Sequence, residues 1–125
     1  MQAAPRKPSP DADRVYQLAA ELFAVMSTPL RLKIISALCH GEKNVSRLLT
    51  EIDTTQPNMS QHLGTLVRAG ILARRREGPQ VFYRVQSEKA VALCHAVCTQ
   101  VAIEIDAPGS IAPRERLLSG TSLGL

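Results

Sequence analysis

Two groups of side chains in this sequence have the types and spacing for specific chemistry. The first is the cysteines, Cys39, Cys94 and Cys98. Cys94 and Cys98 are four residues apart, so a helix sets both on one face. With His95 beside them they can hold a soft ion such as As(III), Cd(II) or Cu(I), which thiolates prefer. Free cysteine also packs as a small hydrophobe. All three fall on apolar stripes, so a purely structural role competes with the metal reading. The second group lies in TTQPNMSQHLGTLVRAGIL, residues 54–72. On a helical wheel Met59, Leu63, Leu66 and Val67 point one way, and Asn58, Gln61, Thr65 and Arg68 point the other. Ser60 and His62 sit at the margins and Gln56 near the helix start. Asn and Gln can offer a donor–acceptor pair to adenine, and Arg can do so to guanine. Gly64 leaves a gap on the outer face that permits close approach. His40 and His95 are expected at helix ends or on the surface.

These groups need elements to carry them. The periodicity predicts a first helix over 11–26, with Val15, Leu18, Ala19, Leu22, Phe23 and Met26 on one face. A second starts at STPLRLKII, where Ser27 or Thr28 can cap and Pro29 suits the first turn. Leu32, Ile35 and Cys39 share its stripe, and Gly41 ends it. A short third helix near 44–52 has Asn44 as cap candidate and Val45, Leu48, Leu49 and Ile52 apolar. The polar-faced helix follows Pro57, with Thr55 or Gln56 near its cap and Gly70 closing it. Two β-prone runs in ILARRREGPQVFYRV flank Glu77-Gly78-Pro79, which predicts a two-stranded hairpin. A last helix over 87–105, capped by Ser87, lines up Val91, Cys94, Val97, Cys98, Val101 and Ile105. That stripe is long for a terminal helix on so small a domain, which points to burial against a second copy. The domain is thus expected over 11–105. A proline-rich N-terminal arm over 1–10 and a loose Pro/Gly/Ser-containing tail over 106–125 flank it.

A short helix, a tight turn and a second helix make a helix-turn-helix unit, whose second helix enters the major groove. Between residues 54 and 86 there are five arginines (Arg68, Arg74, Arg75, Arg76, Arg84), one acid and no lysine. A hairpin with arginine on its strands can lie along a phosphate backbone or reach the minor groove. A solvated helix beside a charged hairpin accounts for either feature alone, but not for both in this order.

Composition sets the outer bounds. The 125 residues suffice for one domain with a modest core. A formal charge of +4 favours an anionic partner without requiring one. Aromatic residues make up 3 %, too few for stacking on unpaired bases. No run approaches the ~20 apolar residues of a membrane span. The N-terminus lacks the apolar core of a secretory signal, and three cysteines are too few and odd in number for a disulfide framework. A reducing cytoplasm and no membrane partner are therefore expected. An enzyme is not: there is no Gly-rich phosphate loop, no metal-plus-acid pair and no set of residues placed as a nucleophile with its base, and no catalytic residue or cofactor is assigned. A module that uses this fold only to contact protein is the rival class, and the arginine hairpin argues against it.

STPLRLKIISAL, TTQPNMSQHLGTLVRAGIL and REGPQVFYRV, in this order, resemble the ArsR/SmtB family of bacterial winged-helix repressors over roughly residues 12–104. The resemblance implies a mainly α, winged helix-turn-helix fold, ordered helix, helix, helix, helix, strand, strand, helix. It also implies a cytoplasmic homodimer built on the first and last helices. Such a protein binds double-stranded operator DNA of dyad symmetry and releases it when a small inducer acts. The sequence departs from the family's metal-sensing patterns. Arsenic-type members carry Cys-x-Cys where this chain has Asn44, Val45 and Ser46. Zinc-type members carry acids and histidines where this chain has Ser87, Lys89, Gln100 and Ile103, none a usual zinc ligand. No metal site is therefore assigned. Family members without metal sites use one cysteine on the second helix and one on the last, joined through sulfur. By that resemblance Cys39 and Cys98 form a sensing pair for reactive sulfur species or oxidants, with Cys94 as the spare. Each is displaced about one turn from the family positions, in opposite senses, and antiparallel packing of the two helices cancels the shifts. A metal- or metalloid-responsive site at Cys94 and Cys98 is the alternative, and structural cysteines a further one.

Overall fold

In the computed structural model, residue 7 and residues 9–106 are described. The expected arm over 1–10 lies mostly outside the described residues, as does the expected tail beyond Asp106.

Each helix begins where a short polar side chain satisfies a backbone N–H that has no partner within the helix. Ser9 Oγ accepts from Ala12 N–H ahead of α1 (Pro10–Met26), and Thr28 Oγ1 accepts from Arg31 N–H ahead of α2 (Pro29–Leu38). Asn44 Oδ1 accepts from Arg47 N–H at 2.8 Å and starts α3 (Val45–Glu51). Thr55 starts α4 (Gln56–Arg68) and Ser87 starts α5 (Glu88–Ile105) in the same way. Proline in the first turn of α1, α2 and α4 presets the helical φ where no N–H is needed. At the end of α4, Gly70 takes φ +78°. That left-handed step lets Ile71 N–H reach back to Leu66 O at 3.0 Å and turns the chain into the sheet.

Strands β2 (Leu72–Glu77) and β3 (Gln80–Val85) form the expected hairpin, with Leu72 opposite Val85 and Glu77 opposite Gln80. Gly78, at φ +61°, makes the two-residue turn possible. The sheet is nevertheless three-stranded. Lys43–Asn44 forms β1, which pairs antiparallel with β3 and gives the order β1-β3-β2. A two-residue strand has no periodicity to read; only its partner defines it.

The core collects Ile34, Ile35 and Leu38 of α2, Leu48 of α3 and Met59, Leu63 and Leu66 of α4. Met26, Ile52, Ile71, Leu72 and Tyr83, with Ala90 and Cys94 of α5, pack against them. The expected stripe on α2 is therefore rotated. Ile34, Ile35 and Leu38 carry the burial, whereas Cys39 caps the helix end and is exposed. On α1 only the last turns join the core, through Leu22, Val25 and Met26. Farther up the helix Val15, Tyr16, Leu18 and Phe23 are exposed, Tyr16 by 72 %.

Candidate nucleic-acid interface and thiol cluster

α3 and α4, joined by the turn at 52–55, are the helix-turn-helix pair. Burial of Met59, Leu63 and Leu66 fixes the rotation of α4 and leaves Gln56, Asn58, Ser60, Gln61 and Arg68 exposed. Val67 and Thr65 are partly covered. Several outward groups are already oriented by neighbours. Asn58 Nδ2 donates to Thr54 Oγ1 at 2.9 Å. Thr65 Oγ1 donates to Gln61 O at 3.1 Å and accepts from Arg68 Nη2 at 3.3 Å. Arg68 thus folds back along its own helix. A Cβ at Gly64 would sit 3.1 Å from Arg68 Nη1, so the expected gap at Gly64 is covered by a movable guanidinium rather than open.

His62 sits at the margin of α4's exposed face, as expected, but it is tied to another element. It is partly buried, and its Nδ1 accepts from Arg31 Nε at 3.0 Å. Arg31 Nη1 also donates to Val25 O, at 3.0 Å. Arg31 was not among the expected site residues. Its only local signal is a lone cation between apolar residues in the first turn of α2.

The hairpin arginines differ in what they meet, and only Arg74 and Arg76 lie on the strand face opposite Arg75. Arg75 lies opposite Phe82, and its guanidinium carbon is 4.7 Å from that ring's centre. It donates through Nε to both Glu42 oxygens at 2.8 and 3.0 Å, through Nη2 to Glu42 Oε1, and through Nη1 to Glu77 Oε2 at 2.6 Å. The Arg75 hydrogen bonds hold the Glu42 carboxyl below the usual carboxylate range. Arg75, expected to contact phosphate, is already paired with two carboxylates, so a phosphate there would compete with Glu42 and Glu77. Glu42 follows Gly41 in a loop and had no signature in the sequence. Arg74, Arg76 and Arg84 are exposed and make no hydrogen bond or ion pair among the described residues, but the charge of Arg84, on the Arg75 face, also helps to lower the Glu42 carboxyl. On the first strand, Lys43 Nζ pairs with Glu51 Oε2 at 2.7 Å and ties β1 to α3.

The thiols gather where α2 meets α5. Cys94 Sγ is 3.9 Å from Cys98 Sγ and 3.7 Å from the Leu32 carbonyl of α2. Burial, with help from Cys98 and Cys39, pushes the Cys94 thiol up to about 12. Cys39 donates to Ile35 O at 3.1 Å, and partial burial raises its thiol as well. Cys39 is close enough to act on Cys94, but the near pair is Cys94 with Cys98. His95 is exposed. Among the described residues no three of His, Cys, Asp and Glu converge in a way that could hold a metal ion. Val97 and Ile103 of α5 are about half exposed, at 49 % and 50 %, although they are apolar.

Four helices ahead of an antiparallel wing, and a fifth behind it, define a winged helix-turn-helix domain with a polar-faced second helix. The pattern of the arsR family of bacterial regulatory proteins matches residues 28–74. A biofilm growth-associated repressor from Agrobacterium fabrum is 38 % identical over 90 residues, which cover 72 % of this chain and 77 % of that one. The crystal structure of the transcriptional repressor BigR from Xylella fastidiosa superposes with a TM-score of 0.67. It is 37 % identical and covers 71 % of this chain and 91 % of that one. Reduced HlyU from Vibrio cholerae has a TM-score of 0.65 at 29 % identity, covering 70 % and 92 %. The chain belongs to the arsR family.

Proposed function

We propose that this chain is a homodimeric, sequence-specific transcriptional repressor that binds double-stranded operator DNA. The observation that carries this reading is the partition of α4. Met59, Leu63 and Leu66 are fully buried, while Gln56, Asn58, Ser60 and Gln61 stand exposed together. Such a helix presents base-reading groups on a rigid mount. Arg74, Arg76 and Arg84 supply phosphate contacts, and the repressor names of the relatives support the direction of regulation. Dimerisation uses the apolar surfaces of α1 and α5, where Tyr16, Phe23, Val97 and Ile103 are each exposed. The test is footprinting on the protein's own promoter region across a salt series. Binding should be confined to a dyad-symmetric site and weaken steeply with salt. Protection spread evenly over any duplex would overturn the reading.

Release is proposed to follow oxidation of the thiols by reactive sulfur species or another oxidant. Two thiols lose two electrons and two protons as the bridge forms, and a polysulfide is reduced to hydrosulfide. The expected bridge joins Cys39 to Cys98. A specific observation favours a second version, Cys94 to Cys98, whose sulfurs are 3.9 Å apart. In either version Cys94 lies against the Leu32 carbonyl, so a change at the cluster is felt by α2. Cys39→Ser, Cys94→Ser and Cys98→Ser variants treated with polysulfide separate the versions. Loss of release in the first and third supports Cys39–Cys98; loss in the second and third supports Cys94–Cys98. Release by a metal ion alone would favour a soft-metal response at Cys94 and Cys98, and release in all three variants would leave the cysteines structural.

A further inference from the structure

Arg31 is a partly buried cation with no carboxylate partner among the described residues. It is not there to make a salt bridge. Its fork instead makes two directed bonds to neutral acceptors, His62 Nδ1 on α4 and the Val25 carbonyl on α1, each at 3.0 Å. Val25 is the next-to-last residue of α1. Its carbonyl is one of the final four that have no partner within the helix, at the negative end of the helix dipole. One guanidinium therefore joins the end of α1, the start of α2 and the middle of α4.

The bond to Nδ1 has a chemical consequence. A ring nitrogen that accepts cannot carry the proton, so neutral His62 must hold its proton on Nε2. The bond also pins α4 against rotation at a position adjacent to Gln61. Base reading tolerates errors of only about 0.5 Å or 10–20° in the placement of its groups. Burial of Met59, Leu63 and Leu66 sets which face of α4 turns inward, but packing is not directional. A directional hydrogen bond one residue from a reading side chain restrains the rotation.

We infer that Arg31 is a positioning residue for operator recognition. It fixes the tautomer of His62 and the rotation of α4, tying both to the end of α1. The inference rests on the reading of α4 as the operator-reading helix.

The test uses the whole protein with Arg31→Met, Arg31→Lys, His62→Asn and His62→Phe. Asparagine keeps an acceptor, Oδ1, at the place of Nδ1; phenylalanine keeps the ring and loses the acceptor. Arg31→Met and His62→Phe should each lower operator affinity at least about tenfold; His62→Phe loses the one bond to α4, and Arg31→Met loses that bond and the one to Val25 O. Affinity for random duplex and the salt slope should stay as in the wild type, because no phosphate contact is touched. His62→Asn should stay within about threefold of wild type. Nitrogen NMR of the DNA-free protein should show the proton of His62 on Nε2, and a mixed tautomer in Arg31→Met. If Arg31→Met melts too low to assay, Arg31→Lys, which keeps a donor but loses the fork, should show a smaller fall in the same ratio.

An unchanged ratio of operator to random affinity in Arg31→Met and Arg31→Lys would overturn the inference. So would equal damage from His62→Asn and His62→Phe, or a proton on Nδ1 in the wild type. If the wild type itself does not prefer its operator, the assignment of α4 fails, and the inference that rests on it fails too. The tautomer measurement then reports separately whether the link to His62 exists.

Discussion

Gln61 has an exposed amide and no side-chain partner among the described residues, which is the state a base-reading residue needs before it meets DNA. Gln61→Ala should cost about 1–3 kcal/mol on the operator and relax preference at one base pair. Binding to operators mutated one position at a time checks this; equal weakening on random DNA would make Gln61 a positioning contact. The wing arginines should behave unequally. Arg84→Ala should lower affinity on every duplex and reduce the salt slope by about 1, as loss of one phosphate contact does. Arg75→Ala should reduce the slope less, because Glu42 and Glu77 already offset its charge. Glu42→Gln should resemble Arg75→Ala in loosening the wing, read as faster amide exchange at the β2–β3 turn. A thiol pushed up to about 12 is almost wholly protonated at neutral pH. Alkylation of Cys94 should therefore be slow at pH 7 and accelerate steadily with pH, measured by mass spectrometry of the α5 peptide.

At the scale of elements, α1 and α5 are the two helices that the monomer leaves incompletely used. α1 contributes Leu22, Val25 and Met26 to the core and leaves Val15, Tyr16, Leu18 and Phe23 outside. α5 buries Ala90, Cys94 and Ala102 but exposes Val97 and Ile103. A charge on that exposed row must be desolvated if a second copy covers it. Val97→Glu should therefore shift the protein toward monomer in sedimentation equilibrium and weaken operator binding, while the melting temperature of the isolated domain changes little. A fully dimeric Val97→Glu with normal binding would place the interface elsewhere. The two-residue β1 matters beyond its length. With Glu42 just before it and the Lys43–Glu51 pair behind it, it fastens the wing to the helix-turn-helix.

For the whole molecule, the raised Cys94 thiol links stability to alkaline pH. The folded state holds this proton more tightly than the unfolded chain, whose thiol titrates near 9.0. The corresponding stability is fully present below about pH 9 and is lost as pH rises from there toward about 12. Urea titrations between pH 7 and pH 11 should show a falling midpoint in the wild type. Cys94→Ala should flatten that slope, since nothing at position 94 then ionises.

Much of this molecule is set by interactions between residues one to four apart, and those are legible along the chain. Thr28, Asn44, Thr55 and Ser87 cap their helices because each side chain reaches an N–H three residues on; Ser9 does the same for α1 inside a stretch whose prolines read as a loose arm. Gly70 and Gly78 mark the places where the backbone needs positive φ. The two faces of α4 follow from its apolar spacing alone. What stayed hidden depends on where separate elements land. Arg31 meets His62 across 31 positions, and Arg75 meets Glu42 across 33. β1 exists only because β3 arrives beside it. Cys39 looked buried because its spacing extended the stripe of α2, yet that helix stops one residue before it and leaves it on the surface. Hydrogen bonds within a turn are dictated by spacing, whereas bonds between elements form only after packing has brought their partners together, so only the tertiary structure could single out the arginine paired with carboxylates among the arginines of the wing.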